Sequence, residues 1–509
     1  MDNYLRSPKR ESTLLFLLIA VFTLTRLPLL FFLPLVQDEA IYSIMIEEQA
    51  HHPTLIPTLF LQSVSWKPIL FYWVYASLSR IPLALGFPLE AVYRFPSFIF
   101  GLLTIVPLFL LLRKAGASES IAFFSVLIFL ISMPSLYPNG AAITDTLFFF
   151  LAVCSLYLYA DENSPLGGSR FLAAGAFAFL AFFTKYIVAF MIPVLAVAFF
   201  LSKKDERAPL SIASLTGLLK NRLLVLSLLA VPLALIAHLA LLDSAGLAKE
   251  LYISEFQIHS GGDGLSTQFS MLIGSLRVLM LGAGLWFALS LFGFWRFWKE
   301  NLFMSAWFLL TIFPILSGYF MVWYYLPVMP AIAYFAAMAL LKWDKIEKPD
   351  MFFMLFFTVI LVLTLISIIY SYITIYSDFS PQKEAAMLLQ GKSGVLVLGG
   401  YAPSIPAYLA LYDAGRSGTQ DFGWILNQDG LGRAQALSFL SDYHSTSYPV
   451  TEGSFSGMFT QMDTTFRKAS DLTKPDYVVM VREEGINISD ADLIYDSTNL
   501  QVYRMNTHD

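Results

Sequence analysis

Residues 171–201 read FLAAGAFAFLAFFTKYIVAFMIPVLAVAFFL, and this stretch is the most informative one for the fold class. A helix that crosses a bilayer needs about 17 to 25 apolar residues, so the stretch is too long for one ordinary span. Thr184 and Lys185 interrupt it near the middle. We therefore predict two short helices, 171–183 and 186–201, that enter the membrane and return.

Apolar runs of membrane-spanning length recur on both sides of this stretch. Together with the two short helices they predict a polytopic α-helical membrane protein with about eleven transmembrane helices. The other predicted spans are 14–35, 95–112, 119–136, 143–160, 223–242, 276–295, 302–321, 324–341 and 351–373.

The composition of the 509 residues supports this class, because 57% are hydrophobic and only 14% are charged. Soluble chains carry about a quarter charged residues, so an ordinary cytosolic enzyme and a disordered protein are excluded. The net charge of -5 gives no sign of a nucleic-acid partner. The only cysteine, Cys154, excludes an intramolecular disulfide framework and a cysteine metal cluster.

The distribution of Lys and Arg predicts the orientation in the membrane. With a cytoplasmic N-terminus, basic residues concentrate in the cytoplasmic loops, as the positive-inside rule requires. A single span over 171–201 would instead place Lys203, Lys204 and Arg207 outside. We predict a multi-pass protein of the plasma membrane with a cytoplasmic N-terminus and, because the number of spans is odd, an external C-terminus.

The composition becomes more polar after the last predicted span. We predict a transmembrane domain over 1–375, whose first external loop is 37–94, and a small soluble external α/β domain over 376–509. Within the second domain, 394–399 and 477–481 are typical of buried strands, and 403–412 is typical of a helix.

The first external loop holds the charges that point to function. Asp38 and Glu39 directly follow a span, and Lys67 and Arg94 lie near other span boundaries. An ionisable group at membrane depth costs about 2.5 to 3.5 kcal/mol on insertion scales, which makes it a functional candidate by default. The alternative is two interfacial helices, with Asp38 as a helix cap and Pro68 in a first turn.

Six short motifs in this chain resemble those of GT-C glycosyltransferases, in the branch that contains protein O-mannosyltransferases and the lipid A aminoarabinose transferase. The motifs occur in the family's order along residues 10–375. They are Asp38–Tyr42 (DEAIY), Lys67–Trp73 (KPILFYW), Tyr93–Ser97 (YRFPS), Ala141–Asp145 (AAITD), Phe183–Tyr186 (FTKY) and Tyr325–Ala331 (YLPVMPA).

The resemblance implies a membrane glycosyltransferase that uses a sugar carried on polyprenyl or dolichyl phosphate. A protein or glycolipid acceptor would attack on the external face, with inversion at the anomeric carbon. A hydroxyl acceptor needs a base, and we assign that role to Asp38, with Glu39 in support or as a second acid. The leaving phosphate needs cations, and we assign Lys67 first and Arg94 second.

Four further residues are candidates by position, and each has a simpler explanation. Asp145 is a site carboxylate or a helix cap. Lys185 binds the donor phosphate or reaches from a buried stem to the membrane interface. Tyr325 hydrogen-bonds the phosphate or belongs to an aromatic belt. His259 lies near the phosphate or a metal, or is a loop histidine without a role.

No cofactor is certain from the sequence. Trp66 and Ser260–Gly264 depart from the pattern of the aminoarabinose branch, which leaves the participation of a divalent metal and the identity of the sugar open. Two other functions compete with the enzyme. A transporter or flippase of lipid-linked sugars predicts two related halves with broken helices, a symmetry that we do not find. A membrane scaffold gives the charged residues no purpose.

Overall fold

The structure is a computed structural model of the chain. It describes most of residues 1–375 and separate segments of residues 376–509. The described residues are 8–36, 38–59, 62–63, 68–202, 220–247, 273, 276–277, 279–280, 282–316, 322–342, 350–390, 392, 395–398, 422–425, 476–481, 491–497 and 500–505.

The described part of residues 8–390 is a bundle of α-helices. In chain order they are α1 Pro8–Phe31, α2 Asp38–His51, α3 Ile69–Ala84, α4 Leu89–Lys114, α5 Glu119–Ile131, α6 Met133–Leu136, α7 Thr144–Ala160, α8 Arg170–Phe182, α9 Met191–Ser202, α10 Arg222–Leu228, α11 Ala230–Ser244, α12 Leu285–Phe297, α13 Leu302–Leu316, α14 Met329–Leu341 and α15 Asp350–Leu388. A two-stranded hairpin, β1 Thr58–Leu59 and β2 Gln62–Ser63, lies in the first loop.

Local sequence signals set several of the helix starts. The Ser118 side chain accepts the amide hydrogen of Ile121 and caps α5, and the Asn221 side chain caps α10 through the amide of Leu224. Pro68 and Pro88 directly precede α3 and α4, where a missing N–H costs nothing. These caps divide the apolar sequence into separate helices.

The bundle has two ends, called faces below, and contacts between helix ends show which helix ends lie at each. Lys114 at the end of α4 pairs with Asp161 after α7 at 2.7 Å, and Asn301 donates to the Ala115 carbonyl at 2.8 Å. We call this end the basic face, because Arg113, Lys114, Arg170, Arg296 and Lys342 lie there. The starts of α4 and α7 lie at the opposite end, which we call the site face.

The stretch 171–201 forms two helices, α8 and α9, separated by a turn and the 3-10 helix Ile187–Phe190. The Phe199 and Phe303 ring centroids lie 5.3 Å apart, which brings the end of α9 to the start of α13 on the basic face. Lys185, in the turn, lies at the site face. The predicted division of this stretch therefore agrees with the structure.

Individual helices satisfy the criteria for a membrane span less often than predicted. Among the described residues, the helices Glu11–Phe31, Leu89–Lys114 and Leu361–Leu388 are long and apolar enough, and α10 with α11, bent by 42°, meets the criteria only when the pair is counted as one broken span. Seven further apolar helices have only 10 to 17 residues. The count of eleven spans stays a prediction.

A mixed five-stranded sheet follows α15. Its strands are β3 Val395–Leu398, β4 Phe422–Ile425, β5 Tyr477–Val481, β6 Ala491–Asp496 and β7 Leu500–Met505, in the order β4-β3-β5-β7-β6. Strand β3 pairs in parallel with β4 and β5, whereas β7 is antiparallel to β5 and β6. The two predicted strands are present. The predicted helix at 403–412 lies outside the described residues.

Helix α15 joins the bundle to the sheet. It has 39 residues and runs past the predicted domain boundary at 375. Lys383 pairs with the buried Glu90 of α4 at 2.6 Å, and the next residue, Glu384, accepts the hydroxyl of Tyr495 in β6 at 2.7 Å. Adjacent residues of one helix thus contact both parts of the chain.

Candidate active site

Asp38 is the first residue of α2 and is only partly buried. Its Oδ2 atom lies 3.5 Å from the hydroxyl of Tyr42, one helical turn later. The spacing of four residues places both side chains on one face of the helix. The carboxylate therefore remains accessible at the site face.

Glu39, the next residue, is fully buried and pairs with Arg94 of α4. Arg94 donates from Nε to Oε1 and from Nη2 to Oε2, both at 2.6 Å. The backbone amides of Ala142 and Val36 also donate to this carboxylate, at 2.8 and 3.2 Å. Every polar atom of Glu39 is thus engaged by the protein.

The remaining donors of Arg94 hold the end of the first span. Its Nη1 and Nη2 atoms donate to the carbonyls of Leu29, Leu33 and Pro34 at 2.5 to 2.6 Å. A guanidinium has five N–H donors, and each of the five has a protein acceptor here. Arg94 therefore fixes the segment that leads from α1 into Asp38.

Asp145 and Lys185 form a second buried ion pair at the same face. Asp145 lies in the first turn of α7, where the helix N-terminus favours negative charge. The Lys185 ammonium donates to Asp145 Oδ1 and lies 4.5 Å from the ring centroid of Tyr324. The 3-10 helix Val322–Tyr325, which carries Tyr324, packs against α6.

Tyr42 lies between these groups. Burial raises the pKa of its phenol well above the usual value, and the charge of Asp38 raises it further. Tyr72, Tyr324 and Asp145 also contribute to the raised pKa. Glu39, the neighbour of Asp38, accepts the amide of Ala142, three residues before Asp145, so Asp38 and the Asp145–Lys185 pair lie at one site.

A backbone hydrogen bond and the surroundings of Tyr72 join the second half of the first loop to this site. The Leu70 amide at the start of α3 donates to the Phe183 carbonyl at 3.0 Å, two residues before Lys185. Burial raises the pKa of Tyr72, and the neighbouring Tyr186 and Asp38 raise it further. Helix α3 thus borders the site.

Several predicted site residues cannot be compared with the structure. Lys67 and His259 lie outside the described residues, so the predicted shared pocket of Asp38 and Lys67 stays a prediction.

Tyr325 is fully buried, and the neighbouring Tyr324 is the tyrosine that contacts Lys185. Among the described residues, no group of three or more His, Cys, Asp or Glu side chains is arranged to hold a metal ion.

The sequence analysis missed three residues of this region. Tyr42 had a signal, since it lies four residues after Asp38 on a predicted helix. His238 also had one, because an ionisable residue inside an apolar span is a functional candidate. Its ring stacks on Tyr186 at 4.6 Å. Tyr72 looked like an interfacial aromatic residue, and nothing local distinguishes it from Trp73.

Comparisons with known proteins agree with this arrangement. Residues 66–236 match the family model of dolichyl-phosphate-mannose-protein mannosyltransferases. The fold resembles ArnT from Cupriavidus metallidurans bound to undecaprenyl phosphate, with a TM-score of 0.60 and 16% identity over 96% of this chain and 97% of that one. The chain has the GT-C glycosyltransferase fold. The search of curated protein sequences found no match.

A second structure with the GT-C fold is also similar. It is the Archaeoglobus fulgidus oligosaccharyltransferase tethered to an acceptor peptide, with a TM-score of 0.54 and 14% identity over 93% of this chain and 69% of that one. The predicted resemblance to GT-C glycosyltransferases is confirmed, and so is the prediction of an integral-membrane glycosyltransferase. The comparisons give no support to the transporter alternative.

Proposed function

We propose that the chain transfers a sugar from a polyprenyl or dolichyl phosphate to a protein or glycolipid acceptor on the external face of the plasma membrane. The observation that carries the proposal is the partly exposed Asp38 carboxylate at the same end of the bundle as the Asp145–Lys185 pair, to which the Glu39–Ala142 hydrogen bond links it. The undecaprenyl phosphate bound by ArnT and the dolichol phosphate bound by the Archaeoglobus fulgidus enzyme AglB support the choice of donor.

The chemistry follows from the charges. The Asp38 carboxylate takes the proton of the acceptor hydroxyl while its oxygen forms a bond to the anomeric carbon. The bond from that carbon to the phosphate oxygen breaks, and its electron pair leaves with the lipid phosphate. Attack opposite to the leaving group inverts the anomeric configuration.

Lys185 and Lys67 neutralise the leaving phosphate in this proposal. An ammonium has three N–H donors. Within the described residues, Asp145 is the only hydrogen-bond acceptor of Lys185, which leaves donors for phosphate oxygens. Lys67 directly precedes Pro68 in the chain, and Leu70 of the same motif is bonded to Phe183. Tyr325 and His259 remain secondary candidates for contact with the phosphate.

We assign Glu39 and Arg94 to positioning rather than to acid chemistry or phosphate binding. The polar atoms of Glu39 and Arg94 are engaged by each other, by backbone groups in the segment before Asp38 such as the Pro34 carbonyl, and by the backbone amide of Ala142. The Glu39 carboxylate is fully buried and accepts four hydrogen bonds from the protein, so it is not accessible to an acceptor hydroxyl. The pair fixes the start of α2 and therefore the direction of the Asp38 carboxylate.

The orientation of the bundle agrees with an external site. Basic residues concentrate on the face opposite to the site, as expected for a cytoplasmic surface. In the proposed orientation the N-terminus is cytoplasmic and the C-terminal domain is external. A reporter-fusion topology map that found residues 203–222 outside would contradict it.

Cells with the gene deleted provide the test of function. We expect a lipid-phosphate sugar to accumulate and one glycan modification to disappear, and wild-type protein to restore both. Asp38→Asn should fail to restore them while inserting normally, because an amide cannot accept the proton. Asp378→Asn, which changes an exposed carboxylate of α15, is the matched control and should restore both. Full restoration by Asp38→Asn would remove Asp38 as the base.

A further inference from the structure

Two buried polar groups beside the site have no hydrogen-bond partner within the part of the chain that the structure describes. They are the hydroxyl of Tyr72 and both ring nitrogens of His238. Tyr72 is 0% exposed and His238 is 1% exposed. An unsatisfied buried donor or acceptor costs about 1 to 3 kcal/mol, so such groups need an explanation.

The His238 ring lies against Tyr186, the residue that follows Lys185, and the Tyr72 ring lies 6.2 Å from the ring of Tyr42. The His238 ring stacks on the Tyr186 ring with centroids 4.6 Å apart, and Phe182 and Phe183 meet its edge at 6.0 and 5.8 Å. Tyr72, on α3, interacts electrostatically with Tyr186 and with Asp38. The unpartnered atoms therefore border the region between Asp38 and Lys185.

The surroundings of His238 decide its charge. Aromatic rings enclose it, and a charged imidazolium buried among them without an anion would be costly. A neutral imidazole offers one donor and one acceptor, and a phenol hydroxyl offers the same. This chemistry matches the hydroxyl groups of a sugar, whereas a phosphate needs cations, which Lys185 supplies.

We propose that Tyr72 and His238 hydrogen-bond the sugar of the lipid-linked donor and thereby select which sugar is transferred. The proposal rests on the proposed function and deepens it. It divides the site into a phosphate part around Lys185 and a sugar part on the α3 and α11 side of Tyr186. Both residues are binding groups, and Asp38 remains the base.

The test uses Tyr72→Phe and His238→Phe, which remove the polar atoms and keep a ring of similar size. The probes are undecaprenyl phosphate without a sugar and a panel of undecaprenyl-phosphate hexoses and pentoses, of which the tightest binder to the wild type is used. Binding is measured with the full chain in lipid nanodiscs. Thermal unfolding is measured without ligand.

We expect each variant to bind the sugar-bearing lipid about 10-fold more weakly, since a site built to hydrogen-bond a hydroxyl loses affinity without its partner group. Affinity for the sugar-free lipid should stay within about 2-fold, because no phosphate contact changes. The unfolding midpoint should stay constant or rise, because an unsatisfied buried group has been removed.

Tyr159→Phe is the matched control, because Tyr159 is a buried tyrosine at the basic-face end of α7. It should leave both affinities unchanged. Equal losses for the two lipids, or a lowered unfolding midpoint in both site variants, would overturn the sugar role in favour of a structural one. Unchanged affinity for the sugar-bearing lipid would also overturn it. A wild type that binds neither lipid would instead reject the proposed function itself.

Discussion

At the scale of single residues, neighbouring acids in the chain have different environments. Asp38 is partly exposed at the start of α2, whereas Glu39 is fully buried against Arg94. One step along a helix rotates a side chain by about 100°, which is enough to separate a solvent-facing acid from a core acid. The motif therefore places one carboxylate at the accessible site face and one in the core.

Breaking the Glu39–Arg94 pair should destabilise the protein strongly. We expect Glu39→Gln and Arg94→Met each to lose about 3 to 5 kcal/mol of unfolding free energy, because each leaves an uncompensated buried charge or unpaired carbonyls. Denaturation in mixed detergent micelles measures the loss. The matched control is Lys342→Met, which breaks an exposed pair with Glu300 and should cost at most about 1 kcal/mol. A similar loss in all three variants would contradict the positioning role.

The Asp145–Lys185 pair allows structure and binding to be separated. Lys185→Met should destabilise the fold by leaving the Asp145 carboxylate buried and unpaired. Adding Asp145→Asn should restore most of the stability, since the unpaired charge is gone. We expect undecaprenyl phosphate binding to remain lost in the double variant, because the cation is absent. Recovered lipid binding would show that Lys185 has only a structural role.

At the scale of elements, glycines allow two pairs of helices to pack closely. A Cβ atom on Gly293 of α12 would lie 2.0 Å from the Phe335 carbonyl oxygen of α14, and one on Gly175 of α8 would lie 2.9 Å from the Ser227 Cα of α10. Both obstacles are backbone atoms that no side-chain rotation removes. Small residues at such crossings are a common basis of helix packing in membranes.

Gly293→Ala should therefore push α12 away from α14. Overpacking of this kind costs about 1 to 3 kcal/mol or more, and we expect a lower unfolding midpoint together with weaker protection of α14 amides from hydrogen exchange. Gly168→Ala is the control, since its Cβ would meet only the Leu223 side chain at 3.6 Å. Equal unfolding midpoints for the two variants would contradict the close packing of α12 and α14.

At the scale of the whole molecule, α15 connects the sheet to the site through consecutive contacts. Tyr495 of β6 bonds to Glu384, and Lys383 pairs with Glu90. Glu90 lies one helical turn before Arg94 on α4, and Arg94 holds the segment that leads into Asp38. The sheet is therefore attached to the same helix that supports Asp38, the proposed base.

Tyr495→Phe should weaken the attachment of the sheet by about 1 kcal/mol, the typical value of one hydrogen bond. We expect faster limited proteolysis between residues 389 and 394 and no change in the exchange protection of the sheet itself. Tyr503→Phe is the control, because that hydroxyl bonds to Gln501 within β7. Unchanged cleavage in Tyr495→Phe would mean that the contact does not hold the sheet to α15.

The membrane class, most of the helices and the positions of the charged motifs could be predicted from the sequence alone. These follow from local properties, because the length of an apolar run and the cost of a charge near lipid do not depend on the rest of the fold. Asp38, Asp145 and Lys185 were named as site candidates from the sequence, and the break at Thr184 and Lys185 predicted two helices correctly.

Which of these charged side chains form ion pairs depends on the tertiary structure. Arg94 pairs with Glu39 across 55 positions and Lys185 with Asp145 across 40, and such distances depend on how the helices pack. Packing also places the ring of Tyr324, rather than that of Tyr325, beside Lys185, because adjacent residues point in different directions. It also buried the Tyr72 hydroxyl and the His238 ring nitrogens without a hydrogen-bond partner among the described residues, which no local pattern encodes.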